Sequence, residues 1–395
     1  MRPPDLPRRG AWVRRDRPDV GKRIDTMTTR TRRRPLRVEG LESRSLLTTF
    51  YVSNAGSDAG PGTAGSPYAT LQMAVDAVGP GDQVQVAAGT YAGFRAETSG
   101  TAAAPISLAA APGARVVVDR PGPKNKHASD IELESFGGRV DRWTLKGLEV
   151  VAAPRAGIDV RNGNFDSVLG CYCHDNQVWG IFTAFTDDLS LVGNHCSYSV
   201  QQHGIYISNS SDRARVLSNE VDHNHDSGIQ INADASQGGD GISTGCLIVA
   251  NNVHDNGTGG GAALNFDGLQ GSVILGNRLT NNHASGLVLY RADAAAGSSG
   301  NLVLTNTIVM APGSRWAVNI SNLSTGNKIL GNTILAAPGS YGCIATDPGS
   351  LDHFVSDRNT FSPDPVFSIL GGDGPRITLA AWRKATGQDL HSTTN

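Results

Sequence analysis

Between residues 157 and 345 the chain repeats one phrase: a small residue, an apolar residue, any residue, another apolar residue. Gly157-Ile158-Asp159-Val160, Gly180-Ile181-Phe182-Thr183, Gly204-Ile205-Tyr206-Ile207 and Gly228-Ile229-Gln230-Ile231 carry it, and Gly286-Leu287-Val288-Leu289 and Ala317-Val318-Asn319-Ile320 continue it. A second phrase ends in Asn: Leu217-Ser218-Asn219, Val249-Ala250-Asn251, Leu275-Gly276-Asn277, Leu304-Thr305-Asn306 and Leu330-Gly331-Asn332. Asn194 belongs to this series, and Cys171 takes its slot one rung earlier. From Cys171 to Gly180, Asn219 to Gly228 and Asn277 to Gly286 the step is 9, so both phrases belong to one unit. Successive units begin 23, 25, 32, 26, 29, 26 and 27 residues apart from Cys171 to Asn359, the period of a solenoid.

Alternation over four to six positions predicts strands, because side chains change face at every residue. Short strands of Ile, Val and Leu broken by Gly, Asn, Asp and Ser predict an all-β, single-stranded right-handed parallel β-helix. Each turn then pairs its backbone with the next, about 4.8 Å away. The Asn slot is expected to hold a left-handed corner, with stacked amides bonding along the axis.

The ends break the period. Residues 48–118 read as an opening and cap module, with a strand at Phe50 to Ser53, a short helix from Thr70 to Val78 and a strand from Gln83 to Val86. Residues 119–370 carry the β-helix. Residues 371–395 read as a C-terminal cap, a helix that lays Leu379 and Trp382 on the last rung and stops at Gly387. Caps are expected, since an open solenoid end exposes apolar strands and unpaired backbone.

Charge splits the chain. Residues 1–47 hold 14 Lys and Arg against 6 Asp and Glu, net +8, and the rest holds 20 against 30, net −10. An acidic body argues against nucleic acid as a partner. No apolar run is long enough for a membrane span. A monomer is expected. Cys173 and Cys196, each two residues past the Asn slot, should point into the core on adjacent rungs, a placement that suits either a disulfide or two buried thiols.

Two resemblances add to this reading. Arg33-Arg34-Pro35-Leu36-Arg37-Val38-Glu39-Gly40-Leu41-Glu42-Ser43-Arg44-Ser45-Leu46-Leu47-Thr48 resembles the N-terminal motif of planctomycete extracellular proteins. It implies export or surface display, with residues 1–47 unstructured or removed. Tyr51-Val52-Ser53, Gly56-Ser57-Asp58, Pro67-Tyr68-Ala69-Thr70-Leu71-Gln72, Gly81-Asp82-Gln83-Val84 and Ala88-Gly89-Thr90-Tyr91 resemble the opening of pectate-lyase-like β-helix proteins. That superfamily implies lyase, hydrolase or epimerase chemistry on an acidic polysaccharide. The alternative is a non-catalytic surface or carbohydrate-binding β-helix.

The outward positions of the Gly-led strand are the candidate sugar groove: Asp159 and Arg161, then Gln230 and Asn232, Asn265 and Asp267, and Tyr290 followed by Arg291. Polar and aromatic residues repeating by one rung suit an elongated sugar polymer. For catalysis, His203 or His225 is the candidate base and Tyr206 the acid, with Arg161 or Arg291 as carboxylate partner. Lysine is absent between Lys146 and Lys328, a departure from calcium-assisted lyases with a lysine base. Asp234 and Asp240, in the insertion 233–244, are candidate Ca2+ ligands with Asp267 nearby. The trios His174-Asp175-Asn176, Asp222-His223-Asn224 and His254-Asp255-Asn256 read as satisfied polar turns.

Overall fold

The computed structural model describes residues 47–135 and 137–395, so the predicted basic leader lies, but for Leu47, outside the described residues. From Leu47 on the chain is one compact unit. It is a right-handed parallel β-helix whose three sheets have twelve strands each among the described residues. The opening segment supplies the first strand of all three, at Thr49–Val52, Gly89–Tyr91 and Phe94–Ala96.

On the Gly-led sheet Ile158 pairs with Ile181, Ile181 with Ile205, Ile205 with Ile229, Ile229 with Leu264 and Leu264 with Leu287. All six are fully buried, so identical slots stack into one apolar column. Glycine leads five of these six strands, Ala263 the other, because the corner before them is crowded: a Cβ on Gly204 would lie 2.4 Å from Val221 Cγ1 and 2.6 Å from Asn224 Nδ2.

The Asn corner differs from the expectation in one respect. Its left-handed residue is the one before Asn, at Gly193, Ser218, Ala250, Gly276, Thr305, Gly331 and Arg358, with φ between 50° and 65°. The Asn contributes its side chain. Asn277 Oδ1 accepts from both the N–H and the side-chain amide of Asn251, at 2.9 Å each, while its Nδ2 donates to Ile248 O at 2.8 Å and Asn306 Oδ1 at 2.9 Å. Backbone groups that the bend removes from the ladder are thereby satisfied inside the core.

Members of the polar trios have three separate fates. The first points outward, the second takes positive φ (Asp175, His223, Asp255), and the third is buried. Asn224 donates to Asn256 at 2.9 Å and Asn256 to Asn282 at 3.1 Å, a second internal ladder. Cys173 and Cys196 stack in register as buried free thiols.

Both ends are capped. The N-terminal helix, Leu71–Ala77, buries Leu71, Ala74 and Val75. Gln72 behaves as a strand partner for the free edge of Phe94–Ala96: its amide donates to Arg95 O and accepts from Arg95 N–H, each at 3.0 Å. The C-terminal helix, Leu379–Thr386, ends at left-handed Gly387 and lays Trp382 on Phe367 with ring centroids 5.1 Å apart. Asp389 closes the Asn ladder, taking Asn359 Nδ2 at 3.0 Å. Among the described residues no helix is long and apolar enough to cross a membrane.

Candidate active site

Register places the outward residues of the Gly-led sheet in two columns. Asp159, Phe182, Tyr206, Gln230, Asn265, Val288 and Asn319 form one, and Arg161, Ala184, Ser208, Asn232, Asp267 and Tyr290 the other. The two halves of this face differ.

At the N-terminal half charges are consumed locally. Arg161 grips Asp159 through Nε–Oδ1 at 2.8 Å and Nη2–Oδ2 at 3.1 Å, and its guanidinium lies 4.8 Å from the centre of the Phe182 ring. Asp159 is 1% exposed and also accepts from Ser129 Oγ at 3.1 Å. Trp179 stacks on Phe182 at 4.6 Å, with the Arg155 guanidinium 4.9 Å above the Trp179 ring.

In the middle, His203 meets Tyr206 edge to face, ring centroids 5.2 Å apart. Burial pushes the His203 imidazole down to about 3 and raises the Tyr206 hydroxyl above the ordinary tyrosine range. His203 Nδ1 accepts the Ser227 N–H at 3.1 Å, which leaves Nε2 to carry the proton. Both groups are therefore neutral at pH 7. His225 is exposed at the rim, its Nδ1 3.1 Å from Gln201 O and 3.0 Å from Asp226 Oδ1.

A hydrogen-bonded chain joins this pair to the C-terminal half. Ser227 Oγ donates to Gln230 Oε1 at 3.2 Å, Asn265 Nδ2 donates to the same oxygen at 2.7 Å, and Asn265 Nδ2 reaches the Tyr290 hydroxyl at 3.5 Å. Burial pushes Tyr290 up to about 12. Beneath it Asp267, fully buried and raised in pKa by that burial, accepts the Ala292 and Asp293 N–H groups at 2.9 and 2.8 Å. It is a support for the wall and not a surface ligand.

The C-terminal half opens into a cleft of about 690 Å³. Asn265 and Tyr290 line it, together with Arg315, Trp316, Asn319, Tyr341, Asp347 and Asp373. Arg315 is exposed, and among the described residues its guanidinium has no hydrogen bond or ion pair. Tyr341 presents an exposed ring with the Arg376 guanidinium 5.0 Å from its centre. Arg291, also exposed, is tied to the rim through its carbonyl, which accepts Asn322 Nδ2 at 2.8 Å.

Of the sequence-predicted residues, His203, Tyr206, Gln230, Asn265 and Tyr290 come together along this chain of contacts. Asn232 lies beside it, donating to Asp293 Oδ2 at 3.3 Å. Asp159, Arg161 and His225 do not join it. The sequence reading missed Arg315, Trp316 and Tyr341; Asn319 was legible as the outward residue of a recognised rung.

The two calcium candidates, Asp234 and Asp240, are each engaged in a turn of their own. Asp234 Oδ1 accepts Ser236 N–H at 2.8 Å and Asp240 Oδ1 accepts Ile242 N–H at 3.1 Å, each closing its own turn. Among the described residues no convergent group of three metal-ligating side chains includes either one.

The family described as "Pel9A-like, right handed beta helix region" matches residues 50–201, under half of the chain. A pectate lyase, PEL9, of Emericella nidulans is 30% identical over 122 residues, 28% of this chain and 29% of the relative's length. Among solved structures, pectate lyase Pel9A superposes with TM-score 0.54 at 20% identity, covering 74% of this chain and 77% of that one. The lacto-N-biosidase of Eubacterium ramulus gives 0.55 at 12% identity over 88% and 68%. The periplasmic alginate epimerase AlgG, as a double mutant, gives 0.51 at 14% over 80% and 71%. The chain thus has a pectate-lyase-like right-handed β-helix fold. At these identities the structural likeness is one of architecture.

Proposed function

We propose that the chain is a secreted or surface protein that seats an acidic polysaccharide in the cleft of the Gly-led face and acts on it by lyase, hydrolase or epimerase chemistry. The observation that carries this reading is Arg315, unpaired among the described residues, in a cleft walled by Tyr290 and Tyr341 and by the amides of Asn265 and Asn319. A body of net charge −10 repels a polyanion overall, so binding needs a local cation, and Arg315 supplies one where aromatic faces and amides can hold sugar rings. The similar pectate lyase and alginate epimerase, which by their names act on acidic polymers, support the same substrate class.

His203 and Tyr206, at the N-terminal end of the hydrogen-bonded chain, remain the proposed catalytic pair, with His225 at the rim. Tyr206 is protonated at neutral pH and fits a proton donor. For His203 to act as a base it must release the Ser227 N–H from Nδ1. That occupied lone pair favours the second reading, a cleft that binds the polymer without cleaving it.

Purified protein incubated with pectate, alginate and glycosaminoglycans, with calcium or with chelator, separates these readings. Lyase action yields an unsaturated uronate that absorbs in the ultraviolet. Hydrolysis yields only new reducing ends, and epimerisation changes the polymer's proton NMR alone. Affinity without any of the three supports the binding protein, and no affinity for any polymer overturns the proposal.

A further inference from the structure

The third sheet, on another face from the cleft, carries a cluster that the sugar-binding reading does not use. In-register stacking sets His254 beside Asp222, and Glu220 stands two residues before Asp222 on the same outward face. The corner residues that follow, His223 and Asp255, are left-handed, with φ of 54° and 57°. Two overlapping triads result, His223, His254, Asp255 and Glu220, Asp222, His254, and within each the ligand atoms lie within 4.8 Å of one another. His254 is common to both.

We propose that this cluster is a binding site for a divalent transition ion of the zinc class. Imidazole nitrogen with carboxylate oxygen is the donor set such ions prefer, whereas calcium and magnesium take oxygen ligands. His223 Nδ1 lies 2.7 Å from Asp222 Oδ2, so its Nε2 is free to ligate while a carboxylate fixes the ring. Tyr198 stacks on the His223 ring at 4.9 Å and holds it further. His254 is held on its Nδ1 side by Asp255 Oδ2 at 2.6 Å, with Nε2 turned toward Glu220 Oε1 at 3.4 Å. Tetrahedral zinc sets its ligands roughly 3.4 Å apart, so the ligand atoms close by at most about 1.4 Å on binding.

The location gives the ion a purpose. Asn219 and Asn251 head the two rungs it would join, and at 32 residues their interval is the longest between Cys171 and Asn359, because it contains the 233–244 insertion. Loop closure costs most there, and an ion bound only by the folded chain would clasp the two rungs across it.

Isothermal titration of the untagged full chain with zinc chloride tests the site. One ion per chain is expected, with His254→Ala weakening binding by ~10-fold or more. His174→Ala, an outward imidazole of the same sheet outside both triads, is expected to leave binding intact, and calcium chloride to give no binding at the site. Zinc should also raise the melting temperature of the parent and of His174→Ala but not of His254→Ala. No stoichiometric binding overturns the site. Unchanged affinity in His254→Ala, or equal losses in both variants, overturns it as well.

Discussion

Arg161 and Asp159 are joined by two side-chain hydrogen bonds, 2.8 and 3.1 Å, on one outward face of one strand. This pairing turns a basic residue of the predicted groove into a structural one. Replacing Arg161 with alanine leaves a carboxylate at 1% exposure with Arg155 Nη1 at 3.7 Å as its remaining cation. The expected loss is about 2 kcal/mol or more by thermal or denaturant unfolding, with no loss of polymer affinity. A variant as stable as the parent would show the pair to be dispensable.

Ile205 sits in the buried column between Ile181 and Ile229. Ile205→Asp places an unpaired charge among apolar side chains, and the expected cost is ~3 kcal/mol or more. Unfolding with the parent's midpoint would refute the inward assignment of the column.

The Asn277 side chain makes four hydrogen bonds in the internal ladder. Asn277→Ala strands the Asn251 amide groups and the Ile248 carbonyl in a dry interior, so about 3 kcal/mol or more should be lost. Faster amide exchange at Asn251, read by NMR or mass spectrometry, should accompany it. A loss spread evenly over all rungs would contradict a local role.

These elements differ in how far the sequence revealed them. Period and alternation were enough for the strands and the inward column, because each follows from which side chains must leave water, and the caps were legible where that period breaks into short helical patterns. The Asn slot and its stacked amides were visible, but the residue that turns was not: only backbone geometry shows that Ser218 or Thr305, rather than the Asn, is left-handed. The site was harder to see, since every outward slot of a solenoid is polar. Arg315 precedes its strand, Trp316–Ile320, and has no rung rule to mark it. That Asp159 neutralises Arg161 depends on a rotamer, which spacing does not specify.

Stability should fall as pH rises. Asp130, fully buried and with neither carboxyl oxygen hydrogen-bonded among the described residues, is raised to about 8 by burial, and Asp166, also buried, is raised to about 8 for the same reason despite accepting the Trp143 N–H at 2.8 Å. In the unfolded chain both titrate near ~3.9. Between about pH 4 and 8 the folded state therefore holds protons that the unfolded state has released, and stability declines across that window before levelling off. Melting temperatures from pH 5 to 9 should show the slope, and Asp130→Asn with Asp166→Asn should flatten it. Equal slopes in parent and double variant would show that both carboxyls ionise in the fold without cost.

Arg315 is where binding and stability should separate. Its guanidinium is exposed in the cleft and unpaired among the described residues, so Arg315→Ala removes no internal contact of the head group and should shift stability by no more than ~0.5 kcal/mol. Affinity for an acidic oligosaccharide should drop by about 1.5–3 kcal/mol, the range for a hydrogen bond to a charged group, and the remaining binding should depend less on salt. Arg315→Lys should recover part of the loss, because it restores the charge but not the two-pronged fit to a carboxylate. Affinity electrophoresis through gels containing pectate or alginate, at low and moderate ionic strength, reads all three variants side by side. If Arg315→Ala migrates as the parent does while Arg161→Ala is released, the polymer lies on the N-terminal half of the face, and the cleft between Asn265 and Asp373 is not its seat.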